Sequence, residues 1–155
     1  MRKLRIYTDT SVIGGCFDPE YRGASRRLIE LFKTSRATLV LSELTLLELT
    51  RAPLRVRQIL DGVPPSNREH LELTDEAGAL ATAYLQARIL GSRQEVDAQH
   101  IAIATIAKVD LLVSWNFKHI VNLERIHGYN SVNLRWGYPL LEIRSPLEVA
   151  GHEES

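Results

Sequence analysis

The sequence predicts an α/β fold carrying a mostly parallel sheet, on three observations. Short apolar runs, at residues 4–8, 38–41 and 111–114, alternate with amphipathic segments. Strands separated by helices of roughly ten to fifteen residues are the pattern of right-handed βαβ crossovers. Two of the runs are followed within two residues by an oxygen-bearing side chain, Asp9 after the first and Asn116 after the third. Ligands of open parallel sheets sit at that end of the strands.

Leu4–Thr8 is the first strand, and Ala24–Lys33 is an amphipathic helix with Leu28, Ile29, Leu31 and Phe32 on its apolar side. Thr38–Leu41 is a second, buried strand. Ser42 caps the helix after it, which carries Glu48 about one and a half turns in and stops before Pro53. Leu54–Leu60 is a short helix, and Gly62-Val63-Pro64-Pro65-Ser66 breaks periodic structure. His70–Leu73 is a third, edge-like strand. Thr74, Asp75 and Glu76 give a cap and two first-turn acids ahead of Leu80, Tyr84, Leu85 and Ile89 at helical spacing, and Gly91 and Ser92 end that helix. Residues 95–107 form the most apolar helix of the chain. Leu111–Ser114 is the next strand, with Ile120, Val121 and Ile126 marking a helix after it. The turn Gly137-Tyr138-Pro139 leads into a last strand, Leu140–Arg144.

The 155 residues have the size of one domain, with a core over about residues 4–145 and a short polar tail over 147–155. With 45% apolar and 25% charged residues the chain reads as globular. Its longest apolar runs are far short of a membrane span, and Met1-Arg2-Lys3-Leu4 leads into a strand rather than a secretory signal, so a cytoplasmic location is expected. The single cysteine, Cys16, excludes an internal disulfide and a thiolate metal site, and reads as a small, half-buried loop residue.

Nineteen basic residues balance nineteen acidic ones, so the whole chain offers nucleic acid no long-range attraction. The distribution is uneven: residues 1–60 carry a balance of +5 and residues 61–155 a balance of −5. Arg22, Arg26, Arg27, Lys33, Arg36, Arg51, Arg55 and Arg57 form either a basic side or an ordinary solvated helix face.

Asp9 and Asn116 lie just beyond strand ends. Glu48 and Asp97 lie near helix starts, which share that side of a doubly wound sheet, so four oxygen-bearing side chains converge on one rim. A carboxylate cluster at a low-dielectric sheet edge repels itself, and either takes up protons at raised pKa or binds a cation. Mg2+ or Mn2+ suits such oxygen donors, keeping octahedral positions free for water and phosphate oxygens. Hydrolysis of a phosphodiester is the chemistry this supports. Each residue also has a plainer reading: Asp97 as a first-turn acid, Glu48 as a partner of Arg51, Asn116 as a helix N-cap.

Four blocks in order carry a resemblance: Ile6-Tyr7-Thr8-Asp9-Thr10-Ser11-Val12-Ile13-Gly14-Gly15, Ser42-Glu43-Leu44-Thr45-Leu46-Leu47-Glu48-Leu49, Asp97-Ala98-Gln99-His100-Ile101-Ala102-Ile103-Ala104 and Leu112-Val113-Ser114-Trp115-Asn116-Phe117. Together they resemble the PIN domains, in particular the VapC-like toxins of bacterial and archaeal toxin–antitoxin pairs. The resemblance implies a three-layer α/β sandwich with a mostly parallel sheet of four or five strands and an acidic pocket holding Mg2+ or Mn2+. It implies a ribonuclease that cuts single-stranded RNA or exposed loops, an antitoxin partner and a homodimer. Asp9, Glu48 and Asp97 match the core acids and metal ligands, with Asp9 and Asp97 the direct ones, and Ser11 matches a hydroxyl near the metal or phosphate. Thr10 matches a residue that satisfies backbone groups at the turn.

Asn116 departs from the pattern, because many active members carry Asp there. An amide oxygen ligates a metal or orients water but brings no charge and cannot act as a base. A catalytically silent PIN module that binds RNA or a protein is therefore the second reading. A phosphate-handling domain with Asp9 as nucleophile is the weakest, since Lys118 alone comes near a late strand end. His100, one turn after Asp97, reads as a packed or singly hydrogen-bonded histidine, and Trp115, Trp136 and Tyr138 read as packing residues.

Overall fold

The computed structural model describes residues 2–150. Five strands, β1 (Leu4–Thr8), β2 (Ala37–Ser42), β3 (Arg68–Leu71), β4 (Leu111–Val113) and β5 (Ile143–Arg144), form one sheet in the order β3-β2-β1-β4-β5 with every pairing parallel. The α/β expectation holds. Parallel strands covered on both faces carry apolar residues without polar interruption. Accordingly Ile6 and Tyr7 of β1, and Leu39, Val40 and Leu41 of β2, are all buried.

Alternation of side chains across the sheet divides the core in two. Tyr7, Val40, Leu112 and Ile143 face α5 (Asp75–Gln86), α6 (Glu95–Ile106) and α7 (Leu123–Arg135). Ile6, Leu39, Leu41 and Val113 face α1 (Thr10–Gly15) and α2 (Arg22–Lys33), with α3 (Glu43–Leu49) and α4 (Leu54–Arg57) contributing Leu49 and Val56. The chain leaves β1 toward β2 on one side and returns as β4 on the other, so the switch point lies between β1 and β4. Asp9 and Ser114 stand at those two strand ends.

Several boundaries differ from the sequence reading. Helix α1 was not anticipated, because Thr10, Val12, Ile13 and two glycines are weak helix formers; Asp9 caps it and full burial of Val12 and Ile13 overrides propensity. β3 begins two residues earlier than expected because the Asn67 amide donates to Phe32 O and Ala37 O, both at 2.7 Å, and pins its entry. The short helix from Leu54 ends at Arg57 and continues as a 3-10 turn over Gln58–Gly62. Ile120 and Val121 form a turn whose amides both donate to Asn116 O, and α7 starts only after its N-cap, Asn122. The last strand shrinks to two residues because its neighbour β4 has only three. Past it, α8 (Pro146–Ala150) packs against α2, so part of the expected polar tail is helical, while residues 151–155 lie outside the described region. Cys16 is fully buried in the α1–α2 core, not half-buried in a loop. Among the described residues no helix is long and apolar enough to cross a membrane.

Gly15 is where backbone and side chains approach closest to the site. A Cβ there would lie 2.5 Å from Ser25 Oγ and 2.8 Å from Trp115 Nε1, the two atoms joined by a 2.7 Å hydrogen bond. Gly15→Ala is expected to destabilise the protein by about 2 kcal/mol, as overpacking of a filled core does. A denaturation midpoint equal to that of the unaltered protein would contradict this packing.

Candidate functional site

Asp9 anchors the site. It ends β1, caps α1, and is only 6% exposed. Its Oδ1 accepts from Ser11 N at 3.2 Å and Ser11 Oγ at 2.6 Å, and its Oδ2 accepts from Ser114 Oγ at 2.7 Å. Ser11 Oγ also accepts from Trp115 N at 2.9 Å, so the ends of β1 and β4 are stitched together through one carboxylate and two hydroxyls. Ser11, expected near a metal or phosphate, is engaged in this clamp. Ser114 escaped the sequence reading, although its place at the end of an apolar run two residues before Asn116 was the available signal. The Thr10 hydroxyl oxygen is buried without a hydrogen-bond partner, contrary to the turn-stabilising role expected of it.

Asp97 projects from the first turn of α6, where Asn116 Nδ2 donates to its Oδ2 at 3.2 Å. Asn116 Oδ1 accepts from His119 N at 2.9 Å, and its backbone N donates to Ser114 Oγ at 2.9 Å. Asn116 thus closes the turn after β4 and holds Asp97. It does not cap α7, whose N-cap is Asn122.

Glu48 is half-exposed on α3 and meets His100 rather than Arg51, with Oε1 3.0 Å from Nε2. His100 is 2% exposed, and its other nitrogen, Nδ1, lies 2.6 Å from Tyr7 Oη. Tyr7 Oη donates in turn to Ser42 Oγ at 2.7 Å, and Ser42 is the N-cap of α3. Both ring nitrogens are therefore used, and His100 is more than a packed or singly bonded side chain. The reading missed this because Tyr7 and Glu48 lie 93 and 52 residues from it in sequence.

The electrostatics bind the acids into one unit. Burial raises the Asp9 carboxyl above the usual range and Glu48 adds to the rise, while His100 and the hydroxyls of Ser11 and Ser114 oppose it. Burial likewise raises Asp97; His100, His119 and the Asn116 amide oppose that shift, and Asp9 adds to it. His100 opposes the rise at both acids and is the hydrogen-bond partner of Glu48.

Among the described residues no three His, Cys, Asp or Glu side chains converge as a ready metal cage. The donor set still suits a hard cation, since Mg2+ takes one or two carboxylates and keeps water at its other positions. Asp9 and Asp97 are two such carboxylates, and each loses its burial penalty as a charged group when a cation sits beside it. A surface groove of about 710 Å3 lies elsewhere, between the loop after α5 and the start of α7, and contains none of these acids.

Trp115 is 6% exposed, and its indole stacks on Tyr21 with centroids 4.1 Å apart, which makes it a core residue as expected. Tyr138 packs partly buried against the α5–α7 core, as expected, with its hydroxyl donating to Glu76, whereas Trp136 is 48% exposed and is less buried than a packing role implies.

The five-stranded parallel sheet in the order 3-2-1-4-5, with Asp9 and Asp97 beside its switch point, is the α/β architecture that the resemblance implied. The solved structures bear this out. VapC20 of Mycobacterium tuberculosis, a sarcin-ricin loop cleaving toxin, superposes with a TM-score of 0.54 at 16% identity, covering 74% of this chain and 92% of its own. VapBC2 from Rickettsia felis, bound to a DNA fragment from their promoter, superposes with a TM-score of 0.55 at 14% identity, covering 92% of this chain and 98% of its own. The fold is that of the VapC-like PIN domains. No protein-family profile matches the sequence, and no curated protein does.

Proposed function

We propose that the protein is a metal-dependent endoribonuclease that hydrolyses single-stranded RNA, acting as the toxin of a toxin–antitoxin pair. The observation that carries this reading is a pair of carboxylates, buried Asp9 and partly buried Asp97, both with pKa raised by desolvation, beside the switch point of a VapC-like sheet. Asp9 and Asp97 would hold Mg2+ or Mn2+, with Glu48 as the third acid and Ser11 beside the phosphate. The ion supplies positive charge against the acids and the phosphodiester.

The chain's own residues do the positioning. Ser11 and Ser114 fix the Asp9 carboxylate at the sheet end. Asn116 orients Asp97 and brings no charge, so metal affinity is expected to be weaker than in a four-acid pocket. His100 aims Glu48 across the same pocket. An antitoxin partner, a homodimer and a cytoplasmic setting belong to the same reading, and the two VapC and VapBC neighbours support its toxin–antitoxin part.

Purified protein incubated with single-stranded RNA and Mn2+ or Mg2+ is expected to cut it, leaving a 5' phosphate and a 3' hydroxyl, and EDTA or Asp97→Asn is expected to stop the reaction. Intact RNA at saturating metal, with binding retained, would instead favour the non-catalytic module. The observation on that side is Asn116, which supplies an amide in place of a fourth acid and spends it on Asp97 and the His119 amide.

A further inference from the structure

Phe117 follows Asn116 directly and is 45% exposed. Consecutive Cα atoms are about 3.8 Å apart, so the ring is carried within one residue of the side chain that holds Asp97. Its backbone is fixed by a tight turn in which Phe117 N donates to Trp115 O at 2.9 Å. That turn sends Trp115 inward, where its Nε1 donates to Ser25 Oγ, and leaves Phe117 at the rim. The Phe117 ring meets Trp115 edge to face, at 6.0 Å and 66°. Trp115 is itself stacked on Tyr21, so the exposed Phe117 ring rests on a buried indole that is held from its other side.

A half-exposed phenylalanine loses hydrophobic stabilisation where it stands, and the indole beneath keeps it from folding inward. Bases of a single strand stack on such rings whatever their identity, because each has a π-face. We infer that Phe117 is a base-stacking platform, binding an unpaired nucleobase next to the phosphodiester held at Asp9 and Asp97. This inference rests on the nuclease reading for the class of its ligand, a single-stranded RNA. It assigns a subsite that favours unpaired over paired RNA, because a base inside a duplex has no free face to offer.

Binding of a fluorescently labelled single-stranded RNA is to be measured by anisotropy with Mg2+ in the Asp9→Asn background, beside cleavage by the unaltered chain. Phe117→Ala is expected to weaken binding about tenfold, as loss of one stacked base does. Phe117→Leu, apolar but without a π-face, is expected to behave like alanine, and Phe117→Trp to restore affinity. A strand of abasic nucleotides is expected to bind all four forms alike.

Alanine and phenylalanine forms with equal affinity for RNA, while the unaltered chain cuts it, would overturn the inference and leave the nuclease reading intact; the ring would then belong to a protein-contact surface. A leucine form that binds as well as phenylalanine would also overturn it, since apolar contact alone would suffice. If RNA is neither bound nor cut, the inference and the nuclease reading fail together.

Discussion

Asp9→Asn is expected to abolish RNA cleavage, by about a thousandfold or more, and at the same time to raise the melting temperature of the metal-free protein at neutral pH. On the proposed nuclease reading, the loss of activity follows from removing one of the two carboxylates that would hold the ion; losing a single charge-stabilising group costs rates of this order. The gain in stability follows from proton linkage. Burial lifts the folded-state pKa of Asp9 above its unfolded value, so between the two values the folded protein binds more protons than the unfolded chain. The slope of stability with pH is then negative. The favourable contribution is complete below the unfolded value, about 3.9, and is lost as pH rises toward the raised one.

Asparagine has no proton to lose, so the variant escapes that decline. For a chain of this size each ~1 kcal/mol recovered raises Tm by about 2–4 °C. Thermal melts in EDTA at pH 7.5 and pH 4 check the sign: the variant's advantage should be present at the higher pH and shrink at the lower. Added Mg2+ should narrow the gap, because an ion that binds the folded form stabilises the parent more. A variant less stable than the parent at pH 7.5 would mean that the Ser11 and Ser114 hydrogen bonds outweigh burial of the charge.

His100→Ala is expected to cost about 3 kcal/mol of stability and most of the cleavage activity. The ring is 2% exposed within the tightly packed α6 core, so truncation leaves a cavity, and Tyr7 and Glu48 each lose a hydrogen-bond partner. Glu48, no longer aimed by Nε2, is then free to take any rotamer its half-exposed position allows. The comparison that separates the two effects is Glu48→Gln. Because Glu48 lies 43% exposed, its replacement should leave stability within about 0.5 kcal/mol while reducing cleavage. Denaturant titration of both variants, with activity assayed well below each midpoint, gives the answer. Full activity in His100→Ala would show that the position of Glu48 is immaterial to the reaction.

Much of the fold was legible because parallel strands buried on both faces must be apolar runs. Residues 4–8, 38–41 and 111–114 were found on that basis, and Ser42 and Thr74 are the caps their side chains suggested. The misplaced elements are those whose limits depend on distant partners. Asn67 decides where β3 begins, through carbonyls 35 and 30 positions away, and the three residues of β4 decide how short β5 is. Helix α1 exists because burial of Val12 and Ile13 outweighs two glycines, a balance that local propensity gets wrong.

The same division runs through the site. The sequence by itself led to the expectation that Asp9, Glu48, Asp97 and Asn116 share one rim, because strand ends and the starts of the following helices face the same way in a doubly wound sheet; Asp9 and Asp97 occupy such positions, whereas Glu48 stands at the last turn of the short helix α3. Only the tertiary structure decided what holds them: Ser114 on Asp9, Asn116 on Asp97, and a buried His100 tied to Tyr7 and reaching Glu48. The reason is physical. A strand end is a local property, fixed by a few residues, whereas a hydrogen bond between side chains fifty or a hundred positions apart exists only once packing has set their distance and excluded the water that would compete for it.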